Sequence, residues 1–317
     1  MGTIPVWLKD LIDKYNLHGD DAGVVGMLNH FAFVMRIGQL LVSTPTFSHE
    51  LTAFVETHER KFNEAQTQID QLKTLRYPEL TGKNWKAELH AWMQEVLDAF
   101  LDFHVDVPVP PNLNRAQRRL LKKYKLWLFF VPAISEDQYP EHIVKLDRDR
   151  YLPSANVTSL PLPGRWIAWE VIKKPNYQDG RYPDDQLMTA VDIDTRFAHP
   201  HSQKGEGDDL MEDILPKVAT VLKSLGGEAK VQSARIFNFL GNLFNWLRIH
   251  TSENRLPDLG STNSVEWCEE RCGSHAALLV GLHGGGGLVC VGSFYRDDRD
   301  NSIAFRFLVQ FEPVAQE

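Results

Sequence analysis

The stretch VDVPVPPNLN, residues 105–114, separates two regions whose sequences differ in pattern. Its three prolines cannot continue a helix, because proline has no backbone N–H to donate. Apolar residues recur at helical spacing before this stretch, whereas short β-rich runs broken by proline and glycine follow it. The sequence therefore predicts an α+β protein in three parts: an N-terminal α-helical bundle over 1–107, a linker and basic helix over 108–124, and a second domain over 125–317.

The N-terminal region has four segments with a helical pattern. The segment 23–42 is apolar nearly all round, as a helix buried among other helices would be, and 85–103 places its apolar residues along one stripe. The other two segments are 7–16 and 49–75. Four such helices predict a bundle, and we expect this helical half to dock a partner or to mediate self-association.

The second region alternates strand-like runs with two helical segments. The predicted helices are 209–227, which ends at a pair of glycines, and 231–247. The runs that favour strands are 125–134, 142–147, 164–172, 276–283, 287–295 and 302–312. Four consecutive glycines, 284–287, predict a hairpin turn between two of these runs.

The composition argues against some classes of protein. A net charge of -8 at pH 7 argues against a general nucleic-acid-binding surface, which needs an excess of positive charge. The longest uninterrupted apolar stretches, such as the one within 125–131, are much shorter than the ~20 residues that cross a bilayer, so no membrane span is predicted. Three cysteines do not make a disulfide framework, and residues 1–10 do not resemble a secretory signal, which favours a cytoplasmic protein.

A basic cluster interrupts this acidic chain. Its residues recur at helical spacing in NRAQRRLLKKYK, residues 114–125, and they are Arg115, Arg118, Arg119, Lys122, Lys123 and Lys125. One interpretation is a solvated helix face that leads into a strand. The alternative is a site over 115–125 that binds nucleic acid or an acidic protein, and such binding would weaken steeply with salt.

Three segments of the second region resemble, in this order, the motifs of one enzyme family. They are KVQSARIFNFLGNLF at 230–244, Asn263-Ser264-Val265-Glu266-Trp267-Cys268, and Val291-Gly292-Ser293-Phe294 followed ten residues later by Ala304-Phe305-Arg306. Each is similar to a motif of the formylglycine-generating-enzyme (sulfatase-modifying factor) family. The resemblance covers the C-terminal half of the chain only, and it implies a C-type-lectin-like fold for 125–317.

The resemblance does not extend to the catalytic residues of that family. The family's copper chemistry relies on a cysteine pair just after the Gly-Gly-Ser-Trp segment, where this chain has Phe294, Tyr295 and Arg296. A Cu(I) site needs thiolate ligands. We therefore expect a non-catalytic module that binds a small ligand or a protein. The polar aromatic surface expected to do so consists of Trp267, Phe294, Tyr295, Arg296, Asp298, Arg299 and Asn301.

Two cysteines four residues apart raise the question of a zinc site. Such a site would need Cys268, Cys272 and Cys290, with either His275 or His283 as the fourth ligand. Structural zinc usually takes its ligands from two close pairs, and this chain has only one such pair. The resemblance instead implies that Trp267 and Cys268 belong to the structural heart of the domain, so we expect packing here.

An iron- or copper-dependent oxidase of the same fold, with histidine ligands from elsewhere, is the alternative function. His199 and His201 alternate in the sequence AHPHS, so both would face one side of an extended strand, and Asp194 lies nearby. These three residues are the predicted metal site. The resemblance also implies a structural Ca²⁺, to which Asp258 and Asn263 could contribute oxygen ligands.

Overall fold

The computed structural model describes residues 66–67, 69–146, 161–172, 185–193, 210–259, 265–272, 276–281, 291–295 and 303–312. The chain divides into two compact units, Met1–Asp70 and Gln71–Glu317. All the helices and strands given below belong to the second unit. The predicted helices at 7–16 and 23–42, and the greater part of the one at 49–75, lie outside the described residues.

The second unit is a mixed structure of helices and mainly antiparallel sheets. Its helices are α1 (Trp85–Leu101), α2 (Arg115–Lys123), α3 (Gln186–Ala190), α4 (Leu210–Leu222) and α5 (Ala234–His250). Its strands are β1 (Leu126–Val131), β2 (Arg165–Glu170), β3 (Glu228–Val231), β4 (Val265–Cys272), β5 (Ala276–Val280), β6 (Val291–Tyr295), β7 (Ile303–Phe305) and β8 (Phe307–Gln310). The α+β class that the sequence predicts is confirmed.

The first sheet has the strand order β1-β2-β8-β3, and all its neighbouring strands are antiparallel. Strand β1 has the sequence LWLFFV and is buried at every position except Trp127, which is partly exposed. Continuous apolar runs of this kind are typical of strands that are covered on both faces. β1 is nevertheless an edge strand, so its outer backbone groups need partners.

Side chains from the preceding segment supply those partners. The Leu128 N–H donates to the hydroxyl oxygen of Tyr77 at 2.9 Å, and the Phe130 N–H donates to Sδ of Met93 at 3.4 Å. A buried backbone donor that lacks a partner costs free energy. The side chains of Tyr77 and Met93 therefore occupy the position in which a further strand would pair with β1.

Helix α1 packs its apolar stripe into the same core as the first sheet. The buried residues of the stripe are Trp85, Leu89, Trp92, Met93, Val96, Leu97, Phe100 and Leu101. The proline-rich stretch after α1 also contacts this sheet, because Nε1 of Trp166 donates to the carbonyl of Pro108 at 2.8 Å. The domain boundary predicted at residue 107 thus lies inside the second compact unit.

The second sheet has the strand order β6-β5-β4-β7. β5 is antiparallel to both β4 and β6, and β7 is parallel to β4. The register of β4 and β5 shifts between Trp267 and Arg271, as at a β-bulge. The antiparallel pairing of β5 with β6 agrees with the predicted hairpin, although the glycines 284–287 themselves lie outside the described residues.

Arg306 stands at the point where the chain passes from one sheet to the other. It is the single residue between β7 of the second sheet and β8 of the first. Its Nη2 and Nε donate to the two carboxylate oxygens of Glu266 on β4, at 2.7 and 3.0 Å, and its Nη1 donates to the backbone carbonyls of Glu170 and Ile172 at 2.6 and 3.2 Å. Arg306 and Glu266 are 1% and 0% exposed, so this ion pair joins the two sheets inside the core.

Two side chains of helix α5 explain why one predicted strand does not form. The strand predicted at 142–147 is not formed over the described residues 142–146. Two asparagines of α5 bond this segment instead: Nδ2 of Asn238 and Nδ2 of Asn242 both donate to the Val144 carbonyl, and Oδ1 of Asn242 accepts the Val144 N–H. The segment is held as an irregular loop because helix side chains satisfy the backbone groups that a neighbouring strand would have bonded.

Among the helices that the structure describes, none combines the length and the apolar character needed to cross a membrane.

Candidate functional site

Helix α2 carries the basic cluster and begins with a complete capping box. The Asn114 side chain accepts hydrogen bonds from the N–H groups of Ala116 and Gln117 at 2.9 and 3.0 Å, and Oε1 of Gln117 accepts the Asn114 N–H at 2.7 Å. Nε2 of the same glutamine donates to the Ser224 carbonyl at 2.8 Å, just past the end of α4. Two N–H groups of the first turn are therefore already bonded within the helix, so an anion beside α2 would meet mainly side chains.

A pocket of about 300 Å³ lies beside α2. Its cations are Arg115, Arg118, Arg119 and Lys122 from α2 and Arg255 from the segment after α5. Its other lining residues are Tyr77, Pro78, Glu79, Leu80, Thr81, Leu121, Leu126 and Trp127. A lining that combines positive charge with apolar and aromatic surface suits an anion that has an apolar part.

Two of the five cations are held in place by the protein itself. Arg255 donates from Nε to one carboxylate oxygen of Glu253 at 2.8 Å and from Nη2 to the other at 2.5 Å. Arg118 donates from Nη1 to the Leu113 carbonyl at 2.9 Å, and its Cζ lies 5.1 Å from the centre of the Trp85 ring. These guanidinium groups form preset walls of the pocket.

The other three cations, Arg115, Arg119 and Lys122, are exposed and have no hydrogen-bond or ion-pair partner among the residues that the structure describes. They occupy positions i, i+4 and i+7 of α2, which places them on one face of the helix. The helix, RAQRRLLKK, has no acidic residue to offset their repulsion. Lys123 is exposed on the same helix but does not line the pocket.

The aromatic part of the lining is a stacked pair of rings. The rings of Tyr77 and Trp127 stack with centroids 4.1 Å apart and an angle of 20° between their planes, and Cζ of Arg255 lies 4.9 Å from the Trp127 ring centre.

Burial by itself would raise the pKa of Glu253. Hydrogen bonds from the Arg255 side chain and from the backbone N–H groups of Arg255 and Tyr77 outweigh burial and hold that pKa below its ordinary value. Glu253 is therefore ionised at neutral pH and compensates the charge of Arg255.

The expected lectin-like surface is described only in part. Trp267 lies in the core with 9% of its surface exposed. Phe294 and Tyr295 belong to β6, which is separated from the strand of Trp267 by β5 alone. The remaining predicted residues of this surface, Arg296, Asp298, Arg299 and Asn301, lie outside the described residues.

Cys268 is fully buried beside Trp267 on β4. Burial raises the pKa of its thiol well above the usual value, and the nearby carboxylates of Glu270, Glu266 and Glu269 raise it further. A buried, protonated thiol is a poor nucleophile and a poor metal ligand. Its position suits packing. Of the other two cysteines that the zinc alternative needs, Cys272 ends β4 and Cys290 lies outside the described residues.

The predicted iron or copper site of His199, His201 and Asp194 also lies outside the described residues. Within the described ranges, no group of three or more histidine, cysteine, aspartate or glutamate residues could hold a metal. Of the two oxygen ligands expected for Ca²⁺, Asp258 forms an ion pair with Arg248 at 2.8 Å. The other, Asn263, is outside the described part of the chain.

Sequence reasoning found the basic helix but missed the pocket. Tyr77, Trp127 and Arg255 come from three distant segments, and none of them belongs to a local motif. Trp127 lies in an apolar strand and Arg255 in a short polar loop, so neither residue is marked as functional by the sequence around it. The usable signal was the lack of any acidic residue within 114–125, which leaves the basic side chains of α2 uncompensated along the sequence.

No family model, no curated protein and no solved structure matches this chain. The case for a function therefore rests on the geometry and charge of the pocket.

Proposed function

We propose that the protein is a binding module that holds a compact anion with an apolar part in the pocket beside α2. The single observation that carries this proposal is a set of three cations, Arg115, Arg119 and Lys122, which have no partner among the described residues and lie on the wall of a pocket that also has apolar lining. The proposal keeps the binding role expected from the sequence and assigns it to the basic helix.

Charge repulsion within α2 supports a ligand. Arg115 and Arg119, and likewise Arg118 and Lys122, are like-charged pairs at i, i+4, which destabilise a helix by about 0.2–0.5 kcal/mol each. Alternating charges of opposite sign are typical of a solvent-exposed helix face, and α2 lacks them. A bound anion would relieve the repulsion, so binding would stabilise the fold as well as fill the pocket.

The size and charge of the site favour a compact ligand over a nucleic acid. A duplex engages a long basic stripe because it carries a phosphate charge every ~1.7 Å of its axis. Here the cations converge on one pocket of about 300 Å³, in a chain whose net charge is -8. Phosphates beyond the pocket would face an acidic protein, whereas a small anion would meet only the basic lining.

A fluorescent anion tests this function. Anilinonaphthalene sulfonate (ANS) combines one negative charge with an aromatic body, and phenylnaphthylamine has the same ring system without the charge. We expect ANS to bind and its affinity to fall by about tenfold in Lys122→Glu, because a charge-assisted contact becomes a repulsion. Added salt should weaken the binding in the same direction.

The matched control is Lys123→Glu, which makes the same change at the neighbouring position outside the pocket lining. ANS affinity should be nearly unchanged in this variant, and the uncharged analogue should not distinguish the two variants. Equal effects of the two substitutions on ANS would show that its binding does not involve the pocket, and the proposal would fail. A short DNA duplex that binds tightly and is lost in Lys122→Glu would overturn it in favour of nucleic-acid binding.

The proposal also includes a C-type-lectin-like scaffold for 125–317 and a cytoplasmic location. The scaffold rests on the order of the three segments that resemble the formylglycine-generating-enzyme family, and the burial of Trp267 and Cys268 in the core is in keeping with it. An experimental structure that defines the connections among β4, β5, β6 and β7 tests it. A different topology in this region would remove the lectin-like part of the proposal and leave the pocket untouched.

A further inference from the structure

We infer that the ligand of the basic pocket is an organic phosphomonoester. This inference rests on the proposed function and narrows it, because it selects one kind of anion among those that a basic pocket could attract.

The unpaired donors match a phosphate better than a carboxylate. Arg115 and Arg119 each present a forked guanidinium group, and Lys122 adds a compact ammonium group within the same pocket. A phosphomonoester offers three strong acceptor oxygens, which is one for each of these side chains. A carboxylate has only two oxygens, and one bidentate arginine engages both of them, so fewer acceptor sites are left for the other two side chains.

The charge of the lining points the same way. Glu253 compensates Arg255, and Glu79 is the only carboxylate among the residues that line the pocket, so three positive charges of the lining are left without a counterpart. A phosphomonoester carries a charge of about -1.5 to -2 at neutral pH, which offsets more of this excess than a monoanion can. Arg118 offers a further donor that an anion could satisfy, because its buried Nε has no hydrogen-bond partner in the described part of the chain.

The rest of the lining sets the size of the organic group. Leu80, Leu121, Leu126 and Trp127 provide apolar surface, and a volume of about 300 Å³ is at the lower end for ligand pockets. A single ring or a short alkyl chain attached to the phosphate would fill such a space. The stacked pair of Tyr77 and Trp127 is fixed by Glu253 and Arg255, so this wall needs little rearrangement on binding.

Calorimetric titration with three probes of similar size tests the inference. Phenyl phosphate is a dianion at pH 8, phenyl sulfate is a monoanion with three free oxygens, and benzoate is a monoanion with two. We expect phenyl phosphate to bind about tenfold more tightly than either of the others, because it carries one more unit of charge than both and one more acceptor oxygen than benzoate. At pH 5 the phosphate is a monoanion, and its affinity should fall towards that of phenyl sulfate.

Variants locate the binding. The double variant Arg115→Ala/Arg119→Ala should lose phenyl phosphate affinity by about a hundredfold, since it removes two charge-assisted contacts. Lys123→Ala should leave the affinity unchanged. Arg119→Lys keeps the charge and removes the fork, so an affinity between those of the wild type and Arg119→Ala supports recognition by a guanidinium group. Circular dichroism of each variant confirms that it is folded.

The outcomes separate the inference from the function on which it rests. Equal affinities for the three probes, all lost in the double variant, would overturn the phosphomonoester inference and keep the anion-binding function. If none of the three probes binds, and Lys122→Glu leaves the affinity for ANS unchanged, both the phosphomonoester inference and the anion-binding function are overturned. Free phosphotyrosine and a peptide that contains it then distinguish the two sources: tighter binding of the peptide assigns the phosphate to a modified side chain, and equal binding assigns it to a free metabolite.

Discussion

Arginine has opposite roles at the crossing point of the two sheets and in the pocket beside α2. Arg306 at the crossing point is 1% exposed, and the carboxylate of Glu266 and two backbone carbonyls accept its hydrogen bonds. Arg115 and Arg119 in the pocket are exposed and have no partner within the described ranges. The same side chain is a structural link where its hydrogen bonds are made within the fold, and a candidate for ligand binding where they are not.

An extensive hydrogen-bond network around an arginine, such as that of Arg306, is weak evidence for a functional site. A buried guanidinium group without partners would cost several kcal/mol, so the interior accepts one only with its bonds made in advance. The pocket arginines escape this cost because water solvates them, and they lose that water only when an anion replaces it. Substitutions at the crossing point should therefore change stability, whereas substitutions of the pocket arginines should change ligand binding.

The largest expected effect is at the crossing point. Glu266→Gln leaves the charge of Arg306 buried without its counter-ion, and we expect the free energy of unfolding to fall by about 3–5 kcal/mol. Urea unfolding followed by circular dichroism measures the change. Arg115→Ala should stay within about 0.5 kcal/mol of the wild type, as is usual for exposed positions.

Similar losses in the two variants would remove the distinction between the two regions. If Glu266→Gln does not fold, replacing both Glu266 and Arg306 by methionine provides a second measurement. A buried pair exchanged for apolar residues of similar volume is often tolerated, so the double variant should be more stable than the single one.

The next effect concerns two acids, the half-buried Glu270 and the buried Glu253, whose pKa values move in opposite directions. Both carboxylate oxygens of Glu270 on β4 accept the Ala234 N–H at the start of α5, at 3.0 and 3.1 Å. Burial raises the pKa of Glu270 to about 7, with a further contribution from Glu269, against the lowering effect of its backbone hydrogen bonds and of Arg235. Between pH 4.5 and about 7 the folded protein therefore holds a proton that the unfolded chain has released, and stability falls as pH rises through this window.

Glu270→Gln should abolish this fall. The variant should gain stability over the wild type as pH rises, by roughly 3 kcal/mol at pH 7, since each pKa unit corresponds to about 1.4 kcal/mol. Denaturant unfolding at several pH values across the window measures the difference. Curves that stay parallel for the two proteins would show that Glu270 does not titrate in this way.

Glu253→Gln in the pocket wall is the matched comparison. Because hydrogen bonds lower the pKa of Glu253, its ionised form stabilises the fold above the ordinary value of 4.5, and this contribution is lost as pH falls through the lowered pKa. The advantage of the wild type over Glu253→Gln should therefore shrink on acidification below pH 4.5.

The smallest expected effect is at the wall shared by the pocket and the edge of β1. Tyr77→Phe removes the acceptor of the Leu128 N–H, and a buried donor left unpaired costs about 1–3 kcal/mol, so a value near the lower end is expected at an edge strand. Tyr139→Phe is the control, because its hydroxyl makes no hydrogen bond among the residues that the structure describes. Equal losses in thermal or urea unfolding for the two variants would contradict the role of Tyr77 at this edge.

Much of the secondary structure could be predicted from local pattern. The stripe in 85–103 gave α1, and the apolar runs at 125–134 and 164–172 contain β1 and β2. The failure at 142–146 is instructive, because Ile143 and Leu146 are buried apolar residues, yet the backbone groups of Val144 bond to Asn238 and Asn242. Local pattern reports which side chains are apolar, and it does not report which partner satisfies the backbone.

The candidate site divides in the same way. The sequence alone determined that the basic side chains within 115–125 recur at helical spacing, because spacing and charge are local properties of the chain. Only the tertiary structure decided that Arg118 and Arg255 are bound by the protein, whereas Arg115, Arg119 and Lys122 have no partner in the part of the chain that the structure describes. Only the tertiary structure, too, placed Trp127 in the pocket lining with them. Hydrogen bonds and burial depend on distances between segments as far apart as 77 and 255, and the packing of the core sets those distances.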